Sequence, residues 1–299
     1  MDYFYSTDIH RTHVELVMKE VKLYLGYAGY CEAKESHSIR GGANKAIKFQ
    51  ALFGLILHPE QGWILYDTGY TKRFYECTKS YPNKFYAKLT KVFVNEEDEI
   101  KNQLKHFGLK PTDIKHIIIT HFHADHVAGL KDFDAATFYC SRAAFQQYKE
   151  ISSFWAFSKA ILKDLMPENF EKRLKIIEDF AKPIKDEIFG KKHDLFADDS
   201  LLIYDLPGHA AGQIGVELKT EKQQYFLIAD ACWNRKSYEE MLLPPSIVRL
   251  FFDSWQDFKD SLKKVNLFHK KFPEITIVPT HCSATTSALV STHYDLDAL

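Results

Sequence analysis

The feature that most constrains this chain is the stretch "IKHIIITHFHADHVAG" at residues 114–129. Its first half is apolar and β-branched, and reads as a strand buried on both faces. Its second half sets His121, His123, Asp125 and His126 within six positions. Imidazole and carboxylate groups are ligands for zinc and similar first-row ions. A rigid strand ending in such a cluster predicts a fold in which strand ends converge on one place.

Three further segments have the same form. "LIYDLPGH" ends at His209, "QYFLIAD" at Asp230 and "EITIVPTH" at His281. Ligands at strand ends sit on a rigid scaffold and can meet at one sheet edge. His121 and His123 are two apart, so an extended backbone turns both to one side. Asp125 and His126 follow a turn and can face a second position. Five histidines and two carboxylates exceed what one tetrahedral ion takes. They suit two ions sharing a carboxylate and a bridging hydroxide, a pair that attacks carbonyl or phosphoryl groups. The remaining histidines, His58 and His116 among them, read as surface or core residues.

The chain has 299 residues, 45% hydrophobic and 26% charged, enough for a sizeable core. Strand and helix patterns interleave throughout, which predicts one layered α/β domain over residues 1–299. Residues 151–192 are amphipathic and interrupted by Pro167 and Pro183, and predict an inserted helical pair. A net charge of −1 argues against a nucleic-acid partner. The five cysteines are scattered, with no CxxC pair, as in a reducing compartment. No apolar run is long enough for a membrane span. The first twenty residues lack the pattern of a signal peptide. The expectation is a soluble, cytoplasmic protein.

The ordered motifs "YDTG", HxHxDH, "PGHAAGQ", "IAD" and "VPTH" resemble the metallo-β-lactamase superfamily, over about residues 46–281. The resemblance implies an αββα sandwich with metals at one edge of two sheets. It implies that His121, His123 and His209 hold one metal, that Asp125, His126 and His281 hold the other, and that Asp230 bridges them. Asp67 would support the metal loop, or serve only as a turn-former before Gly69. The ions would be zinc, with iron, manganese and cobalt left open by these ligands.

Within the superfamily the layout is similar to the quorum-quenching N-acyl homoserine lactone lactonases. That implies a metal-bridging hydroxide opening a lactone, with Asp125 and Asp230 as the working carboxylates. These lactonases commonly carry a tyrosine three residues after the bridging aspartate, where it assists at the substrate. Here Trp233 stands in that place, without an acidic hydroxyl. Tyr204 and Tyr225 are candidate substitutes. A glyoxalase II type thioesterase shares the ligand set, and a phosphodiesterase is a further alternative. A non-catalytic scaffold fits least, because such members usually lose ligands.

The substrate expected is a small molecule with an apolar acyl portion. Phe154, Trp155, Phe157, Ile161, Leu162, Leu165 and Met166 would either pack as core or wall a pocket for it. The apolar insertions would permit a homodimer.

Overall fold

The computed structural model describes residues 18–293. The reading of the leader falls largely on residues 1–17, outside the described part. The first sheet runs β4 (Lys91–Phe93), β1 (Lys22–Lys34), β2 (Ala46–His58), β3 (Gly62–Tyr66), β5 (Ile114–Ile118), β6 (Thr137–Cys140), β7 (Leu174–Ile176). The second runs β13 (Thr276–Pro279), β12 (Gln224–Ala229), β11 (Ile214–Lys219), β10 (Leu201–Asp205), β9 (Gly190–Asp194), β8 (Lys182–Asp186).

Side-chain alternation explains why two sheets stack. Along β2, Leu52 and Ile56 face the second sheet, while Phe53 and Leu55 face outward. Along β12, Leu227 faces the first sheet, while Phe226 and Ile228 face outward. Ile64, Tyr66 and Ile118 meet Ile203, Val216 and Val278 between the sheets. The outward apolar sets are buried too. Ile100, Leu104 and Val127 cover the first sheet, and Leu262, Val265 and Phe268 of the helix Trp255–Lys271 cover the second. The result is the αββα sandwich. Strands buried on both faces must read as near-continuous apolar runs, which is why "IIIT" shows no polar alternation.

Residues 151–192 do not form a helical pair. They give the 3-10 turns Ala156–Lys159 and Lys163–Leu165, the four-residue helices Phe170–Arg173 and Ile177–Phe180 with β7 between them, then β8 and the start of β9. Leu174 to Ile176 pair in parallel with β6, and residues 182–186 pair with β9. The apolar spacing looked helical because Ile161, Leu162, Leu165, Met166 and Phe170 all dip into the outer core of the first sheet. They do so from turns rather than from one helix, and the segment then crosses to the second sheet. Phe154 and Trp155 stay exposed. Ile161 makes a bridge with His123, so this segment braces the metal-ligand loop.

No helix among the described residues is long and apolar enough to cross a membrane.

Candidate metal centre

The C-terminal ends of β5, β12 and β13 and the loop after β10 meet at one edge of the sandwich. After β5 the chain bends at Thr120 and continues to His123, which takes the N-cap position of the one-turn helix Ala124–Val127. That turn brings Asp125 and His126 back beside His121. His209 follows Gly208, whose φ is +129°. A Cβ there would lie 2.0 Å from Phe258 N, so only glycine lets this loop rest on the helix Trp255–Lys271. Asp230 follows Ala229, held at φ +48°, a left-handed conformation that alanine adopts only under constraint from its surroundings.

All seven residues predicted as ligands come together, and all are buried. Three sets of donor atoms lie within 4.8 Å of one another: His121, His123 and His209; His121, His126 and Asp230; Asp125, His126 and His281. Asp230 Oδ2 lies 3.1 Å from His281 Nε2 and 3.3 Å from His209 Nε2. Asp125 Oδ2 lies 3.3 Å from His281 Nε2 and 3.5 Å from His126 Nε2.

The hydrogen bonds around the cluster fix which nitrogens of His281, His126 and His121 face inward, while His123 Nδ1 and His209 Nε2 lie 2.9 Å from each other. His281 Nδ1 donates to the Gln50 carbonyl at 2.7 Å, which frees Nε2 as a lone pair. His126 Nδ1 donates to Asp67 Oδ2 at 2.7 Å, with the same effect. The Thr120 hydroxyl gives its proton to Asp67 Oδ2 at 2.8 Å, so its oxygen accepts from His121 Nδ1 at 3.0 Å. His121 Nε2, His126 Nε2, His209 Nδ1 and Asp230 Oδ1 are buried with no hydrogen-bond partner. Orphaned lone pairs in a buried site cost free energy unless a cation meets them. The donor set therefore fits divalent ions.

Electrostatics divides the histidines. Burial, reinforced by neighbouring imidazoles, holds His121 well below its ordinary value and lowers His123 to about 3. Burial likewise lowers His209 to about 4, although Asp230 pulls the other way. These three are neutral, the state a ligand needs. For His281, burial opposes the charge, but Asp230 and Asp125 outweigh it and raise it to about 10. Burial opposes the charge on His126 too, and Asp125 and Asp67 outweigh it and raise that group well above its ordinary value. Asp125 and Asp230 are lowered, since the imidazoles overcome the cost of burial. Two carboxylates here attract positive charge, which is what a metal pair brings.

Asp67 is both a turn residue and an anchor. Its φ is +55°, and its carboxylate accepts from Thr120 N at 2.9 Å as well as from Thr120 Oγ1 and His126. Trp233 is half-buried beside the cluster, and its Nε1 donates to Asp230 Oδ2 at 3.0 Å. Tyr204 and Tyr225 do not reach the site. The Tyr204 hydroxyl is bound to Glu217 under the outer helix, and Tyr225 lies at the far end of β12.

Some contributors escaped the sequence reading. Thr120 carried a signal, being a hydroxyl between the strand and the first ligand. The Gln50 carbonyl carried none, since any residue supplies one. Phe49 and Phe252 wall the cluster, with ring centroids 5.3 Å from His281 and His209 respectively. Their distance along the chain hid them.

Residues 48–281 match the sequence profile of the metallo-beta-lactamase superfamily. The chain belongs to this superfamily. It is similar to an N-acyl homoserine lactonase, AttM, of Rhizobium radiobacter, 23% identical over 88% of this chain and 94% of that protein. It is 28% identical to an N-acyl homoserine lactonase of Bacillus cereus, over 73% of this chain and 79% of that one. Its fold matches a solved N-acyl homoserine lactone hydrolase holding N-hexanoyl-L-homoserine at its catalytic metal centre. That match has TM-score 0.68 and 22% identity, and covers 90% of this chain and 97% of the other. Fold, donor cluster and superfamily together make this chain a metallo-hydrolase.

Proposed function

We propose that this enzyme opens the cyclic ester of an acyl homoserine lactone or a closely related lactone. The observation that carries the reading is the convergence of seven buried imidazole and carboxylate side chains, four of them with a donor atom left unpartnered, in a chain whose named relatives are lactonases. His121, His123 and His209 would hold one ion and Asp125, His126 and His281 the other, with Asp230 between them. When bound, two divalent ions, zinc in this reading, would supply hydroxide at neutral pH and polarise the ester carbonyl. Asp125 orients the attacking oxygen and takes up its proton. Asp67 and the Gln50 carbonyl hold His126 and His281 in the productive tautomer.

A thioester is the second reading, and Trp233 favours it. Its N–H is committed to Asp230 rather than turned to a leaving group. A thiolate leaves without a proton donor more readily than an alkoxide does.

The test is proton release from long-chain acyl homoserine lactones by zinc-loaded protein, followed with a pH dye. Rapid acid production, abolished by a chelator, is expected. Its absence in a protein that retains two ions would reject the lactone and leave thioesters and other esters. Metal analysis of the isolated protein decides between zinc, iron, manganese and cobalt.

A further inference from the structure

Three ring nitrogens approach Asp230 Oδ2: Trp233 Nε1 at 3.0 Å, His281 Nε2 at 3.1 Å and His209 Nε2 at 3.3 Å. They differ in kind. An imidazole nitrogen can present a lone pair to an ion, and with its Nδ1 turned to Gln50, His281 Nε2 would do so once a metal displaces its proton. An indole nitrogen only donates. Of the three, Trp233 alone always offers Oδ2 a proton. Asp230 Oδ1 is buried without a hydrogen-bond partner, 3.7 Å from His126 Nε2. One oxygen of the carboxylate is tethered and the other is open.

The tether is itself fixed. The indole ring sits 5.8 Å from Phe49, 5.5 Å from His209 and 5.3 Å from Phe252, centroid to centroid. Phe252 packs in turn on Trp255 and Phe258 at the start of the outer helix. These contacts set the plane of the indole and the aim of its N–H.

Resting on the metal-centre reading above, we infer that Trp233 is a positioning residue. Its N–H fixes the plane of the Asp230 carboxylate and makes its two oxygens unequal toward the ion pair. The hydrogen bond draws charge from Oδ2, so Oδ1 is the stronger donor. Without the N–H, and with the imidazoles turned to the ions, the carboxylate is held less firmly and pairs with the ions less well. Groups that orient ligands in this way change metal affinity by roughly 10–100-fold when removed.

Trp233→Phe keeps an aromatic ring against Phe49 and Phe252 and removes the donor with only part of the indole's bulk. Metal-free wild type and variant are titrated with zinc against a chromophoric chelator, and with cobalt while the visible absorption is recorded. The variant is expected to bind one equivalent roughly 10–100-fold more weakly and to shift the cobalt bands. Its urea midpoint, measured in chelator, is expected to equal that of wild type. Trp233→Leu, which also removes the ring, lowers that midpoint. Unchanged affinity and an unchanged cobalt spectrum in Trp233→Phe would overturn the inference while the metal centre stands. A midpoint that falls together with affinity would assign Trp233 to packing and also overturn it. Failure of wild type to bind two equivalents would overturn the reading beneath it.

Discussion

At the scale of single residues, the site depends on groups that never touch a metal. Asp67 accepts three hydrogen bonds and serves two of the histidines, His126 directly and His121 through Thr120. Asp67→Ala leaves Thr120 and His126 Nδ1 without their acceptor in a buried place. The expected outcome is a roughly 10–100-fold loss of zinc affinity, read by chelator competition, with activity falling alongside. The sequence showed Asp67 as an acid before a turn, and that much was legible. That one carboxylate fixes two imidazoles was not, because Asp67 and His126 are 59 positions apart. Gly208 is a second such residue. Gly208→Ala drives a Cβ into the backbone of Phe258 and is expected to cost at least about 3 kcal/mol in urea unfolding. Gly41 has φ +84° but nothing within 4 Å, so Gly41→Ala is the control, at about 1–2 kcal/mol.

At the scale of elements, short buried strands were the easiest part to read and turns the hardest. "IKHIIIT" and "QYFLIAD" announced β5 and β12, because burial on both faces leaves no room for polar side chains. "NEEDEIKNQLKHFGL" predicted a helix capped by Asn95, yet regular helix covers only Ile100–Gln103 and continues as the 3-10 turn Leu104–Phe107. Gly108 ends it at φ +66°, as its position suggested.

The loop end of the sandwich, away from the ligands, yields a pH prediction at this scale. His116 in β5 is lowered to about 4, by burial first and then by Lys175. His58, at the end of β2, is also lowered, chiefly by burial, and its Nδ1 accepts from Glu60 N and Gln61 N. Both folded values lie below the ordinary histidine value of about 6.5. The unfolded chain therefore takes up the proton first. Stability is full above about pH 6.5 and is lost as pH falls toward 4. Urea midpoints at pH 7.5 and 5 check this, and His116→Gln is expected to reduce the difference between them.

At the scale of the whole molecule, two sheets that bury one another bring ligands from four separate segments to one edge. Ions that bind only the folded state must then stabilise all of it. Zinc at a hundred times its dissociation constant is expected to add about 2.7 kcal/mol, seen as a higher melting temperature that a chelator reverses. The sequence by itself determined the seven candidate ligands and the order of their strands, each written in local pattern: an apolar run, a strand end, a metal-binding side chain. The sandwich followed from the family resemblance that the ordered motifs carry. Only the tertiary structure decided which nitrogens of His121, His126 and His281 face inward, that Trp233 holds Asp230, and that residues 151–192 bridge the sheets instead of forming a helical pair. Those depend on partners tens to hundreds of positions away, and a hydrogen bond or a packing contact across such a distance leaves no period in the chain to read.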